Sequence, residues 1–270
     1  MKIDSSGVAL DVSVEGSGRP VMLIHGWPDT KRLWSKQVPA LVDAGYQVIT
    51  YDQRGYGASD KPAELEAYSI PFLAIDATTI LDHLGIERAH LVGHDWGAAV
   101  VWATAALAPQ RVDHLVALSV GHPTAFANMS MSQREKSWYM LVFQFAPEAE
   151  QWLTMDDGAN FRAFCGHPDF DAVFAEYVGN ASVTPGLNYY RANVTPAALV
   201  GPRLELPPIE APTMGVWSSA DFALLEEQMS ASSAYCANGF RYERLEGPGH
   251  WMQWEAPDKV NELLLDFLPR

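Results

Sequence analysis

One short stretch of the chain could carry nucleophilic chemistry, Gly93-His94-Asp95-Trp96-Gly97. The apolar residues before it predict the end of a buried strand, and the alanine-rich run after it predicts a helix. A glycine two residues away on either side is typical of a strained strand-to-helix turn, where the backbones approach too closely for a Cβ atom. The N-terminus of the helix would stabilise negative charge at the tip. Asp95 is therefore the candidate nucleophile, although it could instead serve only as a helix cap.

An aspartate at this position restricts the chemistry. A carboxylate that attacks a carbonyl carbon gives an anhydride, which is a poor route, whereas attack on a strained or activated sp3 carbon gives an alkyl ester. Asp95 therefore favours ring opening of an epoxide or displacement of halide from an alkyl halide.

Two further residues could complete the site. Asp221 follows an apolar run at 213–217, and His250 lies in a Gly-Pro-Gly-His turn after the next apolar run. Nucleophile, acid and histidine then occur in the chain order of the α/β-hydrolases. We expect His250 to be the base and Asp221 to orient it. Each could instead be structural, Asp221 as an N-cap for 222–229 and His250 as a surface loop residue.

Other polar residues near the strand ends are assigned to structure. We expect His94 to be packed rather than to act as a base, and Asp52 to hold its own loop together with Arg54. The strand end at Val120-Gly121-His122 carries no Asp or Glu, so it supplies no alternative acid.

The alternation of strands and helices predicts the fold. It continues up to residue 123 and resumes near residue 205, which indicates an α/β fold with a mostly parallel sheet and helices on both faces. Residues 124–204 are helical and aromatic in pattern, and Ser132 with Glu135 predicts a capping box there. We therefore predict a core domain, 1–123 and 205–270, and an inserted helical cap, 124–204. The site should lie between them, beyond the carboxyl ends of the strands.

Composition limits the partners. The formal net charge of -15 makes nucleic acid and anionic membranes poor partners. No apolar run reaches the roughly 18 residues of a membrane helix, and residues 1–20 do not form a signal peptide. The two cysteines show no metal or redox spacing, so we expect reduced thiols and a cytoplasmic protein without metal or cofactor.

Several stretches together resemble the α/β-hydrolase-fold epoxide hydrolases, and the resemblance covers nearly the whole chain. The matching stretches are His25-Gly26-Trp27-Pro28, Gly55-Tyr56-Gly57-Ala58-Ser59, Gly93-His94-Asp95-Trp96-Gly97, Ser219-Ala220-Asp221-Phe222 and Gly249-His250-Trp251. The resemblance implies that a small hydrophobic epoxide and water give a vicinal diol through an ester on Asp95. It is compatible with a monomer or a homodimer and with a role in detoxification.

The resemblance also implies two cap tyrosines that point at the epoxide oxygen. Tyr139, before Phe143-Gln144, and Tyr190, within Asn188-Tyr189-Tyr190-Arg191, occupy the matching places. Epoxide opening makes an alkoxide, and a phenol with a pKa of about 10 can donate a proton to it as the bond breaks. Tyr189 is a local rival for this role, and ordinary cap packing is the alternative for both tyrosines.

Backbone and aromatic groups complete the expected site. We expect the N–H groups of Trp27 and Trp96 to form the oxyanion hole for ester hydrolysis. The side chains expected to contact substrate are Trp27, Trp96, Phe143 and Trp251.

Two other functions remain open at this stage. A haloalkane dehalogenase shares the elbow and the HGWP stretch, but its leaving group needs N–H donors rather than a proton. The tyrosine pair and Trp27, where many dehalogenases have Asn, argue against it. A hydrolase-fold receptor that binds an apolar ligand without turnover is the alternative from a different class.

Overall fold

The central sheet ends its strands in the loops that hold the predicted site residues. The computed structural model describes residues 1–196 and 205–270. The strands in these ranges are β1 (Lys2–Ser5), β2 (Val8–Gly16), β3 (Arg19–Ile24), β4 (Tyr46–Asp52), β5 (Ala89–His94), β6 (Val112–Leu118), β7 (Thr213–Ser218) and β8 (Phe240–Leu245). They form one sheet in the order β1-β2-β4-β3-β5-β6-β7-β8. β2 pairs antiparallel with β1 and β4, and every other pairing is parallel.

The mostly parallel sheet confirms the predicted fold class. All six residues of β5 are buried, as are residues 21–24 of β3, because helices cover both faces of the sheet. The four-residue β1 was not predicted.

The helices of the core flank this sheet. They are α1 (Gln37–Asp43), α2 (Ile70–His83), α3 (Trp96–Leu107), and, after the insertion, α10 (Glu226–Ser230), α11 (Met252–Glu255) and α12 (Pro257–Phe267). α3 is buried along nearly its whole length, as its alanine-rich sequence predicts. α12 buries Val260 and Leu264, one turn apart, and exposes charged residues, so it closes the sheet as an amphipathic helix.

A helical insertion separates β6 from β7. Its helices are α4 (Pro123–Ala127), α5 (Met131–Lys136), α6 (Trp138–Val142), α7 (Glu148–Cys165), α8 (Phe170–Gly179) and α9 (Val183–Asn193). Residues 155–158 interrupt α7 with non-helical backbone. These helices occupy the range predicted for the cap, and its predicted end at residue 204 lies outside the described residues. No helix in the described ranges is long and apolar enough to cross a membrane.

The predicted capping box at Ser132 and Glu135 is wrong. Ser130 caps α5 instead, because its side chain accepts a hydrogen bond from the Gln133 N–H at 3.2 Å. The helix begins at Met131, before the predicted cap, and a second short helix starts at Trp138.

Asp52 holds its own loop as predicted, but its predicted partnership with Arg54 is wrong. Asp52 accepts hydrogen bonds from the N–H groups of Lys31 and Ala58, at 2.9 and 3.0 Å. The Arg54 guanidinium pairs with Asp76 of α2 inside the core, with Nε 2.7 Å from Oδ2. Asp52 therefore ties loops together, while Arg54 anchors α2.

Several contacts hold the insertion against the core. The Trp27 indole N–H donates to the Tyr177 hydroxyl at 2.9 Å, and the Tyr189 hydroxyl donates to the Arg54 carbonyl at 2.8 Å. The insertion therefore covers the carboxyl ends of the strands, where the predicted site residues converge.

Candidate active site

Asp95 occupies the turn between β5 and α3 in a strained conformation. Its φ of 53° and ψ of -121° are rare for a residue with a side chain, and such backbone costs roughly 1–3 kcal/mol. A Cβ atom on Gly97 would lie 2.0 Å from the Ile24 carbonyl oxygen, and one on Gly93 would lie 2.2 Å from the Gly97 carbonyl oxygen. The two glycines are therefore required by close backbone approach, as the sequence indicated.

The two carboxylate oxygens of Asp95 have different surroundings. Oδ1 accepts a hydrogen bond from the Trp27 N–H at 2.8 Å. Oδ2 lies 3.6 Å from Nε2 of His250. The Asp95 side chain is 12% exposed. One oxygen is thus held by the backbone, and the other faces the imidazole.

Asp221 holds the opposite side of the imidazole. Its Oδ2 lies 2.9 Å from His250 Nδ1. Its Oδ1 accepts the N–H groups of Ala223 and Leu224 at 2.8 and 2.9 Å. Asp221 therefore caps a turn and orients the histidine at once, although the next helix begins only at Glu226.

The charges around His250 set its protonation. Burial alone would lower the pKa of His250, but the carboxylates of Asp221 and Asp95 outweigh burial and raise it to about 10. Burial would raise the pKa of Asp221, and the facing imidazole lowers it below its usual value. In the resting state at neutral pH, a cationic His250 therefore lies between Asp95 and Asp221.

A narrow cavity joins these residues to the insertion. It offers about 10 Å³ to the centre of a water molecule, enough for about one water. The lining residues are Trp27, Asp95, Tyr139, Phe164, Tyr190, Phe222, Ala223, His250 and Trp251. A wider groove between β8 and α12 is lined largely by charged residues that pair with one another, and it contains none of the predicted site residues.

The two predicted tyrosines lie side by side in this cavity wall. The ring centroids of Tyr139 and Tyr190 are 5.9 Å apart, with the rings nearly perpendicular. Burial raises the pKa of both phenols well above the usual value, and the charge on Asp95 raises it further. Both hydroxyls are therefore protonated at neutral pH. Tyr189, the rival in sequence, points away and donates to the Arg54 carbonyl.

Two predicted substrate contacts lie behind the cavity wall instead. Phe143 is fully buried and packs against Tyr139 and Tyr190, with centroid distances of 5.5 and 5.0 Å. Trp96 packs edge-on against Tyr190 at 5.1 Å. Neither residue lines the described cavity. Both pack against the tyrosines instead, and their direct contact with substrate stays a prediction. Trp27 and Trp251 do line the cavity.

Three residues near the reacting groups were not predicted. Phe164 of α7 and Phe222 after Asp221 line the cavity and meet edge to face at 5.2 Å. Ser119, which directly follows β6, places its hydroxyl within hydrogen-bond distance of both Asp221 and His250. A serine after a buried strand has no distinctive sequence pattern, so no local signal indicated this contact. His94, as expected, is structural, with Nε2 2.9 Å from the His250 carbonyl oxygen.

The chain is similar to known enzymes over its whole length. A model of the alpha/beta hydrolase fold family matches residues 19–257. Epoxide hydrolase A of Mycobacterium tuberculosis is 34% identical, covering 98% of this chain and 96% of the relative. An epoxide hydrolase of Caballeronia sordidicola is 31% identical, covering 98% of this chain and 92% of the relative.

Solved structures of epoxide hydrolases are also similar to this chain. An epoxide hydrolase of Bacillus megaterium in complex with an inhibitor superposes with a TM-score of 0.91, at 28% identity over 100% of both chains. A phenylalanine-to-alanine mutant of an epoxide hydrolase from the same organism, complexed with its naphthyloxy-propane-1,2-diol product, gives 0.89 at 29% identity, again over 100% of both chains.

Fold and strand-end loops define an α/β-hydrolase whose elbow carries a carboxylate. The chain belongs to the alpha/beta hydrolase fold family and, within it, to the epoxide hydrolases. The predicted family is therefore confirmed.

Proposed function

We propose that this protein hydrolyses an epoxide to a vicinal diol through a covalent ester on Asp95. One observation carries the proposal. A single cavity is lined by a carboxylate nucleophile, an imidazole and two phenols, which are Asp95, His250, Tyr139 and Tyr190. The similarity to enzymes named epoxide hydrolases supports it, and so does the diol product bound to one of the similar structures.

In the first step, Asp95 Oδ2 attacks an epoxide carbon. Oδ1 is held by the Trp27 N–H, so Oδ2 is the oxygen left for attack. A bond forms between Oδ2 and carbon, and the carbon–oxygen bond of the epoxide breaks. The released oxygen takes a proton from Tyr139 or Tyr190. The phenols are suited to this role because they stay protonated at neutral pH beside the carboxylate.

Ester formation would change His250 from an acid into a base. Asp95 becomes a neutral ester, so one of the two carboxylates that raise the pKa of His250 is lost. The imidazolium then gives its proton to the phenolate. The neutral imidazole that results can accept a proton from water.

In the second step, water attacks the carbonyl carbon of the Asp95 ester. His250, oriented by Asp221, takes one water proton. The Trp27 N–H already contacts Oδ1, which becomes the oxyanion, and we propose the N–H of Trp96 as the second donor. The ester bond breaks, the departing diol oxygen takes the remaining proton, and the Asp95 carboxylate and His250 cation are restored.

The helical insertion is proposed as a cap domain that supplies the acid groups and the substrate walls. Apart from Asp95 and His250, the cavity lining carries no charged side chain in the described residues, and six lining residues are aromatic. Burying a charged substrate there would be costly. We therefore propose a small, apolar epoxide as substrate. A cytoplasmic location is part of the proposal, supported by Cys165 and Cys236, both free thiols.

The dehalogenase alternative fits the site less well. A departing halide needs N–H donors. The indole N–H groups nearest the nucleophile already donate to other protein groups. The indole N–H of Trp27 donates to the Tyr177 hydroxyl, and that of Trp251 donates to Asp29 Oδ2 at 2.9 Å. The Trp96 side chain hydrogen-bonds to Tyr190. The donors that a halide would need are therefore engaged with protein.

Two variants test the scheme by intact-protein mass spectrometry. His250→Gln should accumulate an ester whose mass exceeds that of the free protein by the mass of the epoxide, because the second step lacks its base. Asp95→Ala should show no adduct and no diol. Normal turnover by His250→Gln would exclude the two-step scheme, and halide release without diol formation in a parallel assay would favour the dehalogenase.

A further inference from the structure

Ser119 lies directly behind the pair formed by His250 and Asp221. Its Oγ donates to Asp221 Oδ2 at 2.5 Å and lies 2.9 Å from His250 Nδ1. Oδ2 and Nδ1 are themselves 2.9 Å apart, so three polar atoms form a closed triangle. Ser119 is fully buried. We propose that Ser119 is a positioning residue that fixes the hydrogen bonding of Asp221 and thereby sets how readily His250 takes a proton from water.

The backbone delivers this hydroxyl from a constrained position. Ser119 has a φ of 72°, a conformation that residues other than glycine rarely adopt. Its N–H donates to the Val216 carbonyl at 2.9 Å, and its own carbonyl accepts from Gln228 Nε2 at 2.8 Å. Glycine would adopt this backbone at lower cost. The hydroxyl contact with Asp221 is the structural gain that the serine side chain brings.

The Ser119 hydroxyl completes the hydrogen bonding of Asp221. Oδ1 accepts the N–H groups of Ala223 and Leu224, and Oδ2 accepts the hydroxyl and the imidazole. Donors to a carboxylate stabilise its charge. The hydrogen bond from Ser119 accordingly helps to lower the pKa of Asp221 against the opposing effect of burial. A less basic Asp221 binds the proton-bearing imidazole less tightly.

The effect should be strongest in the ester intermediate. Among the described residues, the charged and titratable groups nearest the imidazole are Asp95, Asp221, His94, Tyr139, Tyr190 and Lys136, the last donating to the Asp221 carbonyl at 3.2 Å. Once Asp95 is esterified, Asp221 is the carboxylate that still holds the proton on His250. The Ser119 hydroxyl then donates a hydrogen bond to the carboxylate that still faces the imidazolium.

Loss of the hydroxyl should therefore make His250 harder to deprotonate. Asp221 would lose a donor and attract the imidazolium more strongly, which raises the pKa of His250 in the ester. The Nδ1–H is present in both the neutral and the charged imidazole. Removing the hydroxyl also removes its contact with Nδ1. Because Nδ1 carries a proton in both forms, this second loss changes the pKa of His250 less than the lost donor to Asp221 does.

Ser119→Ala and Ser119→Gly test the inference in the full-length enzyme. Rapid-quench experiments over a pH range would measure ester formation and ester hydrolysis separately, with an aryl epoxide as the probe. Ester formation should stay within about twofold of wild type. The acid limb of ester hydrolysis should move to higher pH by about half to one unit, which is a roughly 3–10-fold loss at low pH that disappears at high pH.

The two substitutions separate the hydroxyl from the backbone. Glycine relieves the strain at position 119 and alanine does not, so an effect of strain would differ between them, whereas loss of the hydroxyl predicts the same shift in both. Ser232→Ala is the matched control. This buried hydroxyl contacts the His122 N–H and the Gln228 carbonyl, at 2.8 and 2.9 Å, and it should leave the pH profile unchanged.

The inference rests on the proposed two-step reaction, and the measurements distinguish their failures. Absence of any ester in wild type and in His250→Gln would overturn the two-step reaction itself. An ester that forms normally, with an unmoved acid limb in both Ser119 variants, would overturn only the role of Ser119. An equal slowing of ester formation and hydrolysis would also overturn it.

Discussion

The core and the insertion hold their site residues by different means. On the core side, the elbow backbone at Asp95 is fixed by glycine contacts that leave no room for a Cβ atom, and its carboxylate is held by a backbone N–H. On the insertion side, Tyr139 is surrounded by rings, with Phe143 and Phe164 at centroid distances of 5.5 and 4.9 Å. Backbone geometry fixes the nucleophile, and side-chain packing fixes the phenol.

This difference separates the invariable part of the reaction from the adaptable part. The bond-forming atoms of Asp95 and His250 need placement to within a fraction of an ångström, which rigid strand ends provide. The wall contributed by Phe164 has to fit a substrate, and aromatic packing can be changed one side chain at a time. We therefore expect substitutions in the core to abolish function and most substitutions in the insertion to redirect it.

The largest contrast should come from paired glycine substitutions. Gly97→Ala places a methyl group 2.0 Å from the Ile24 carbonyl oxygen, so it should destabilise the protein by several kcal/mol or prevent folding. Gly179→Ala, at the end of α8, meets no atom within 4 Å and should change stability by less than about 1 kcal/mol. Urea unfolding measures both. Equal effects would contradict the contrast between core and insertion.

Removal of the phenol hydroxyls should affect chemistry and leave the fold intact. Tyr139→Phe and Tyr190→Phe should each slow ester formation by roughly 10²-fold, because a general acid is lost. Tyr189→Phe is the control. It loses the hydrogen bond to the Arg54 carbonyl, which should cost about 1 kcal/mol of stability but little rate. Single-turnover kinetics would decide, and a larger rate loss in Tyr189→Phe than in Tyr190→Phe would reverse the assignment.

The cationic His250 should make the stability of the folded protein depend on pH. The pKa of His250 is raised to about 10 in the folded state from an unfolded value of about 6.5. The folded protein therefore binds this proton more tightly, and the resulting stabilisation is fully present below pH 6.5 and is lost as the pH rises toward 10. The free energy of unfolding of wild type, minus that of His250→Gln, should fall by a few kcal/mol across this window. A flat difference would show that His250 is not held as a cation.

The smallest effect should follow from opening the cavity wall. Phe164→Ala removes one partner of the Phe222 contact and enlarges a cavity that now holds about one water. We expect kcat/KM for bulky aryl epoxides to rise about 3–10-fold relative to small alkyl epoxides, a difference of about 1 kcal/mol. Trp138→Ala, which truncates an exposed ring that contacts Phe164 but does not line the cavity, is the control. An unchanged preference in Phe164→Ala would mean that this ring does not limit substrate size.

The sequence predicts the core side of the site best, because its signals are local. The glycines around Asp95 and the Gly-Pro-Gly turn before His250 lie within a few residues of the groups that they position. The placement of Asp221 follows from the order of strands. The alternating pattern also predicts the mostly parallel sheet, since buried strands and their helices are each continuous in sequence.

Tertiary packing explains what the sequence did not predict. Phe143 and Phe164 are both aromatic residues of the helical insertion, and nothing local indicates that the second lines the cavity while the first lies behind it. Arg54 pairs with Asp76, 22 residues away, rather than with nearby Asp52. Ser119 was missed because a serine at a strand end has no distinctive pattern until the fold brings it to Asp221.

The origin of the oxygen in the diol tests the covalent mechanism most directly. A single turnover in heavy-oxygen water, with enzyme in excess over epoxide, would be followed by mass analysis of the peptide that contains Asp95. The covalent mechanism predicts one heavy oxygen in the Asp95 carboxylate and none in the diol. Heavy oxygen in the diol with an unlabelled Asp95 would show that water attacks the epoxide directly, and would contradict the account.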